Sequence, residues 1–375
     1  MNKTYYSLGL MSGTSGDGVD VSLISSDGID QYNEILNEYF EYDQKTYENI
    51  HNLKSKILKF DDLKKNANEI NDLEKEITLF HAKAVSKISK SIDQKIDFVG
   101  FHGQTIYHNS SEKISKQIGD GNLLSQLIKK TVIYNFRQND IKNGGEGAPL
   151  APVFHRLIVK QKKIELPVCI LNIGGIANIT AIGEYDKNTF LSRDLGPGNC
   201  LIDEWVRNNT KKKFDNNGDI AKKGKTNDLI LNQALDNFDR RPNQKTLSFD
   251  TTDFSLGFVR GLNLEDGAAT LTDFTGRIIG AGLFSFLSEA RDKLWKVLIC
   301  GGGRKNNTLI DRIKSRTLKN LIIQPIDDYG VDGDYIESQA FAYLAIRSYL
   351  RLPISFPNTT GCKIPCTGGT IVENF

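Results

Sequence analysis

The chain has 375 residues, 39% of them hydrophobic and 25% charged, with a formal net charge of +2. Such a composition is that of a soluble globular protein, and the length allows two domains. The near-neutral charge supplies no basic field for nucleic acid or membrane partners, and no apolar run approaches a membrane span. The N-terminus enters a strand pattern at once, with no signal-peptide core. Cys169, Cys200, Cys300, Cys362 and Cys366 form an odd, dispersed set, which argues against a disulfide framework and for a reducing, cytoplasmic compartment. Cys362 and Cys366 are a C-x3-C pair, but no cluster of His or Cys accompanies them to complete a zinc site.

In chain order, an apolar lead from Tyr5 to Leu10 runs into Met11-Ser12-Gly13-Thr14-Ser15-Gly16-Asp17-Gly18-Val19-Asp20. A glycine-rich turn between two strands lets backbone N–H groups approach phosphate oxygens. Asp17 and Asp20 carry the wrong charge for phosphate and fit a Mg²⁺ that bridges phosphates, directly or through its waters. Taken alone, the stretch reads as an ordinary hairpin. Residues 19–40 continue as strands. Residues 43–92 place Ile50, Leu53, Ile57, then Leu73, Ile77, Phe80, Ala84 and Ile88 at helical spacing, which predicts an amphipathic helix pair with a solvated charged face.

Ile96 to Phe101 reads as a short buried strand ending in His102-Gly103-Gln104-Thr105, the place where open α/β sheets put ligands. His102 on its own reads first as a structural histidine. Gly119-Asp120-Gly121-Asn122 opens a helix with Asp120 or Asn122 as its cap. A strand from Thr131 to Phe136 leads to Arg137, Asp140 and the loop Asn143 to Leu150. That loop is either a flexible connector or a substrate loop, with Asp140 and Glu146 hydrogen-bonding sugar hydroxyls.

The second half repeats the layout. A strand from Pro167 to Leu171 enters Asn172-Ile173-Gly174-Gly175-Ile176-Ala177-Asn178, again strand, glycine turn, strand, which suggests an internal duplication with one phosphate loop per half facing a shared cleft. Thr189 to Leu191 reads as a strand leading to Arg193 and Asp194. The turn Gly196-Pro197-Gly198-Asn199 would then fix Asp194 at the cleft edge, and Asp203 and Trp205 begin a helix. Residues 208–247 read as a surface helical insert, and Thr275 to Leu294 as an amphipathic helix. Trp295 to Cys300 is a third buried strand, ending in Gly301-Gly302-Gly303-Arg304, where glycines would let adenosine or phosphate lie flat on the backbone. Asp332, Gly333 and Asp334 precede a last helix with Glu337 in its first turn. Three strand–glycine loops, each with a nearby carboxylate, point to an ATP-using transferase of two α/β halves. A Walker A loop, a protein-kinase motif set and a dinucleotide G-x-G-x-x-G after the first strand are all lacking.

The set Met11 to Asp20, Phe101 to Thr105, Gly144-Gly145-Glu146-Gly147-Ala148-Pro149-Leu150, Asn172 to Asn178, Asp194 with Gly196 to Asn199, Cys300 to Gly303, and Thr359-Thr360-Gly361-Cys362 closely resembles the anhydro-N-acetylmuramic acid kinase family across nearly the whole chain. The resemblance implies a two-domain α/β fold of the actin, sugar-kinase and Hsp70 ATPase superfamily with a central cleft, divided near 1–164 and 165–375, with a hinge near 155–167. It implies a bacterial cytoplasmic role in recycling peptidoglycan sugar. The implied reaction joins ATP, water and 1,6-anhydro-N-acetylmuramic acid to give N-acetylmuramic acid 6-phosphate and ADP. Asp194 carries over as the catalytic base. Gly13, Thr14, Ser15, Gly16, Asp17, Gly18, Val19 and Asp20 carry over as the first phosphate loop, Gly174 and Gly175 as the second, and Gly301, Gly302 and Gly303 as the nucleoside loop. His102, Gln104, Asp140, Gly145, Glu146 and Pro149 would hold the sugar, and Arg137 or backbone amides its lactyl carboxylate. Asp17, Asp20 and, more weakly, Glu337 are the implied Mg²⁺ groups. Gly16 stands where the family often has a bulkier apolar residue, and Glu146 where it often has Gln. A kinase for an ordinary sugar with a free 6-hydroxyl and a nucleotide-gated binding module are the alternatives. A homodimer is compatible with the sequence on base rates alone.

Overall fold

Alternating apolar runs bounded by glycine turns fold into two mixed sheets. The structure is a computed structural model and describes residues 3–183, 190–240, 248–287, 294–317 and 320–375. The chain divides into two units, one ending at Ile164 and resuming over Tyr335–Phe375, the other spanning Glu165–Asp334.

The first unit holds β1 (Tyr5–Ser12), β2 (Gly18–Ser26), β3 (Tyr32–Glu41), β4 (Phe98–Asn109), β5 (Ile114–Ile118) and β6 (Thr131–Tyr134). β1, β2 and β3 form an antiparallel meander, while β4 runs parallel to β1 and β6 parallel to β4. The second unit holds β7 (Val168–Ile173), β8 (Ile176–Ile182), β9 (Phe190–Pro197), β10 (Trp295–Cys300) and β11 (Leu321–Pro325). Order and polarity repeat: β7, β8 and β9 are an antiparallel meander, β10 is parallel to β7, and β11 to β10. This is the doubled α/β arrangement expected of the actin-like ATPases. The first sheet has two additions, β5 as an antiparallel partner to the far half of β4 and β12 (Thr370–Val372) as an antiparallel partner to β6.

The structure departs from the sequence reading in several places. Residues 335–375 were expected with the second half, but they belong to the first unit. The reason is steric. Gly9 of β1 and Gly100 of β4 lack side chains where the helix Ile336–Tyr349 crosses them. A Cβ there would stand 1.9 Å from the Ser338 carbonyl oxygen and 2.3 Å from that of Phe341. The expected hinge span is mostly occupied by the helix Pro152–Gln161. The expected helix pair over 43–92 is three helices, Gln44–Lys56, Phe60–Lys65 and Ala67–Ser91. Their apolar stripes (Ile50, Leu53, Leu73, Ile77, Val85) join Leu8, Leu10 and Val21 in one core.

In the second unit the long helix spans Leu264–Phe286, starting eleven residues before the expected Thr275. Asn263 caps it by accepting from the Asp266 N–H at 2.8 Å, and Gly267 lies against Trp205, where a Cβ would be 2.3 Å from the ring. The expected end at Leu294 falls beyond residues 288–293, which lie outside the described residues, as do 241–247 of the expected insert and Thr189 of the expected strand. The described part of that insert is not merely surface. Its helix Asp228–Asp239 sends Leu231 and Ala234 into the core beside Ile220 and Ala221.

Candidate active site

In the first unit the turn joining β1 to β2 is held by side chains from two other elements, β4 and the helix Gln44–Lys56, and by a backbone N–H just after β3. Gln104 Nε2 donates to the Gly13 carbonyl at 3.0 Å. Lys54 Nζ donates to the Thr14 carbonyl at 3.1 Å, and His51 Nε2 lies 2.9 Å from the Ser15 carbonyl. The Tyr42 N–H donates to the Asp17 carbonyl at 2.9 Å, and Ser15 Oγ donates to Asp17 Oδ1 at 2.5 Å. Carbonyl oxygens repel an anion, so engaging those of Gly13, Thr14, Ser15 and Asp17 leaves mostly N–H groups and hydroxyls to face one. The charged face of the helix Gln44–Lys56 was expected to be merely solvated, but its His51 and Lys54 clamp the turn. Their i, i+3 spacing on one helical face is the signal that could have shown it.

The residues of this turn are not equivalent. Val19 is a core side chain, wholly buried. Gly18 is required by β3, since a Cβ would stand 2.4 Å from the Phe40 carbonyl oxygen, and Gly16 has φ +61° with its Cβ position 2.9 Å from Ile50. At Gly13 the nearest atom to a Cβ is Ser15 Oγ at 3.6 Å, so its backbone is open to approach. Burial, then the charges of Asp17, Glu41 and Asp20, raise the proton affinity of Tyr39, so all three carboxylates act on one phenol. Among the described residues these three do not bring their oxygens together as a ready metal cage, so a Mg²⁺ at Asp17 and Asp20 would keep waters in its shell, as Mg²⁺ usually does.

His102, Gln104 and Thr105 lie within β4, not after it, because the hairpin with β5 extends the strand to Asn109. His102 is buried, and burial, then the Arg137 charge, hold its imidazole well below the usual histidine range. Arg137 Nη2 donates to its Nε2 at 3.0 Å, and its Nδ1 lies 2.8 Å from the Gly103 carbonyl, so the neutral ring is protonated on Nδ1. Arg137 Nη1 donates onward to the Gly147 carbonyl at 3.0 Å. Gln104 is wholly buried, and its Oε1 has no hydrogen-bond partner.

Asp140, in the helix Gln138–Lys142, is 1% exposed. Its Oδ2 accepts from the Gly147 N–H at 2.8 Å and its Oδ1 from Thr360 Oγ1 at 2.6 Å. It therefore shapes the 144–149 loop from behind. Gly145 is obligatory there, a Cβ falling 2.1 Å from Asp140 Oδ2. Glu146 is half-buried, with its N–H on the Thr360 carbonyl at 2.8 Å, and Pro149 is buried. Glu337 is half-buried; burial raises its carboxyl above the usual range and Arg137 opposes this. That pairing groups Glu337 with Arg137 and His102.

In the second unit the Gly174 and Gly175 carbonyls both accept from backbone N–H groups. The Asn199 N–H donates to the Gly174 carbonyl at 2.8 Å and the Gly198 N–H to the Gly175 carbonyl at 2.9 Å. A Cβ on Gly198 would stand 2.2 Å from the Gly174 oxygen. Asp194, on β9 opposite Asn178, is 9% exposed, and its Oδ2 accepts from the Phe249 N–H at 2.7 Å. Nothing in the spacing of Phe249 signals that bond.

Gly301, with φ +76°, and Gly303 are packing glycines. Their Cβ atoms would stand 2.4 Å from Asn172 Oδ1 and 2.2 Å from Ile173 Cγ2, whereas Gly302 has nothing nearer than 4.0 Å. Arg304, not singled out from sequence, is the clamp of this loop. It donates to the Gly301 carbonyl at 3.2 Å, through Nε and Nη2 to Asp327 at 2.8 and 2.9 Å, and also to Asp334. The signal available was an arginine following three glycines, with Asp327, Asp332 and Asp334 close ahead in the chain.

The family model described as "Anhydro-N-acetylmuramic acid kinase" matches residues 5–374. The chain belongs to the anhydro-N-acetylmuramic acid kinase family. A relative of that name from Pelagibacter ubique (strain HTCC1062) is 58% identical, with 100% of both chains covered. Another from Zymomonas mobilis is 39% identical over 97% of this chain and 98% of its own. Among solved structures, a ROK family glucokinase from Streptomyces griseus has a TM-score of 0.42 at 12% identity, covering 91% of this chain and 99% of that one. Membership in the anhydro-N-acetylmuramic acid kinase family makes the protein a nucleotide-using transferase with a small-molecule substrate. Among the described residues no helix is long and apolar enough to cross a membrane.

Proposed function

We propose that the protein uses ATP and water to open the 1,6-anhydro ring of 1,6-anhydro-N-acetylmuramic acid and to phosphorylate O6. The products are N-acetylmuramic acid 6-phosphate and ADP, and the setting is cytoplasmic recycling of peptidoglycan sugar. The observation that carries the reading is Asp194. It is a nearly buried carboxylate with one oxygen fixed by a backbone N–H, in a chain of the anhydro-N-acetylmuramic acid kinase family.

The substrate's O6 carries no proton, so the base has no hydroxyl to activate there. Asp194 takes a proton from water as its oxygen attacks the anomeric carbon. The C1–O6 bond breaks, its electron pair leaves on O6, and O6 attacks the γ-phosphorus in line as ADP departs. For the phosphoryl half, positioning and charge stabilisation suffice. The first turn (Gly13 to Asp20), Gly174 and Gly175 contribute N–H groups and hydroxyls toward the phosphates, and Gly302 the open backbone toward the nucleoside. Asp17 and Asp20 would hold Mg²⁺, which neutralises phosphate charge when bound. Arg137, braced by neutral His102, is the donor for the lactyl carboxylate. Asp140 acts by holding the 144–149 loop in place, with Glu146 and Pro149 on it, and Glu337 belongs with this sugar group.

The test is ADP release with Mg-ATP against no sugar, N-acetylglucosamine, N-acetylmuramic acid and its 1,6-anhydro form. Turnover confined to the anhydro sugar is expected. Preference for a free 6-hydroxyl would make this an ordinary sugar kinase. Slow sugar-independent hydrolysis alone would point to a nucleotide-gated module.

A further inference from the structure

We propose that Cys362, Cys366, Asp140 and Ser355 form a binding site for a thiophilic divalent cation of the zinc class. Sequence alone offers only a C-x3-C pair, a spacing within the usual range for two zinc ligands but with no further ligand in reach. Folding supplies the rest. It brings Asp140 to the two cysteines, and one donor atom from each of the three lies within 4.8 Å of the others. All three are buried, with at most 3% exposure.

A second observation points the same way. Ser355 is wholly buried, and its hydroxyl lies against both sulfurs. A cation at the centre of this group would take that hydroxyl oxygen as a further donor, in place of its contacts with the two thiols. Each Asp140 oxygen accepts one hydrogen bond, from Gly147 or Thr360, and keeps a second lone pair for a metal. Cys366 Sγ donates to the Ile364 carbonyl at 3.0 Å, a bond that ligation would replace. Two thiolates with two oxygen donors select zinc over magnesium or calcium. Each ligating thiol releases its proton to solvent.

An occupied site would staple the tail to the loop behind which it lies. Lys363 N–H already donates to the Asn143 carbonyl, and Glu146 N–H to that of Thr360. The inference stands on these four side chains and does not depend on the sugar reading.

The test uses the full chain, reduced and metal-free, titrated with Co²⁺. A thiolate-to-cobalt charge-transfer band saturating at one equivalent, and its loss on adding one equivalent of Zn²⁺, is expected. Cys362→Ser and Cys366→Ser should each weaken Co²⁺ binding more than about 100-fold, beyond the ~10–100-fold that outer-shell changes bring. Cys200→Ser should leave it unchanged. Circular dichroism of the metal-free variants against metal-free wild type checks the fold. In the unaltered protein, Zn²⁺ should protect two thiols from a thiol reagent. Absence of the band, affinity unmoved in both variants, or no thiol protection by Zn²⁺ would each overturn the site.

Discussion

The turn between β1 and β2 is gripped by side chains that arrive from a helix and from β4, whereas the turn between β7 and β8 is gripped by the backbone of the Gly-Pro-Gly-Asn segment that follows it. The same strand–glycine–strand layout therefore has two kinds of support. Backbone support tolerates no added atom but needs no particular side chain, and side-chain support can be removed one group at a time. The units differ in titration as well: all five histidines fall in the first, three of them buried without charge, and none in the second.

The largest effect should come from the second unit's carboxylate. Asp194→Asn should lower kcat about 10²–10⁴-fold, the usual worth of a general base, with ATP affinity and melting temperature near wild type. Steady-state kinetics beside nucleotide titration checks this.

Acid should separate the two units. His81 is held down to about 4, His155 to about 3 and His102 well below its ordinary range, all chiefly by burial. The unfolded chain protonates them near pH 6.5. Below that pH it binds protons the folded chain refuses, so stability falls as pH drops from about 6.5 toward the folded values. The slope is up to roughly 1.4 kcal/mol per pH unit for each histidine. Hydrogen exchange at pH 7 and pH 5 should show the first unit loosening first. Equal loosening of both units would break the contrast.

Gly198→Ala should destabilise the second unit by about 1–3 kcal/mol, the range for overpacking, because its Cβ would meet the Gly174 carbonyl. A thermal melt reads it directly. In the first unit, Gln104→Leu removes one neutral hydrogen bond to the Gly13 carbonyl, worth about 1 kcal/mol, and should raise KM for ATP several-fold with kcat little changed. Lys54→Ala should do less, within about 0.5–1 kcal/mol, since its partner carbonyl can turn to water.

The meanders, β10 and the cap at Asp120 were legible because they rest on local patterning: apolar runs, glycine turns and an Asp placed to accept from the Asn122 and Leu123 N–H groups at 2.8 and 3.0 Å. Less legible was anything set by chain-distant contact. β4 outruns its apolar core because β5 pairs with its polar half. The last helix leaves the second unit because Gly9 and Gly100, far back in the chain, let it lie on their backbones. Several glycines that look like phosphate contacts, Gly18, Gly301 and Gly303 among them, are needed for packing. Sequence shows that a side chain is absent but not which neighbour excludes it. Asp140 is the same lesson in a polar residue. Its position beside the loop suggested a sugar contact, but its carboxylate meets Thr360, 220 residues away.

The most direct test of the account is the reaction of 1,6-anhydro-N-acetylmuramic acid with Mg-ATP in ¹⁸O water, read by mass spectrometry, with preformed N-acetylmuramic acid 6-phosphate as the exchange control. The account predicts one ¹⁸O at C1 beyond the control, a phosphate on O6, and one ADP per ring opened. A phosphorylated sugar with its anhydro ring intact, or ADP formed without ring opening, would contradict it.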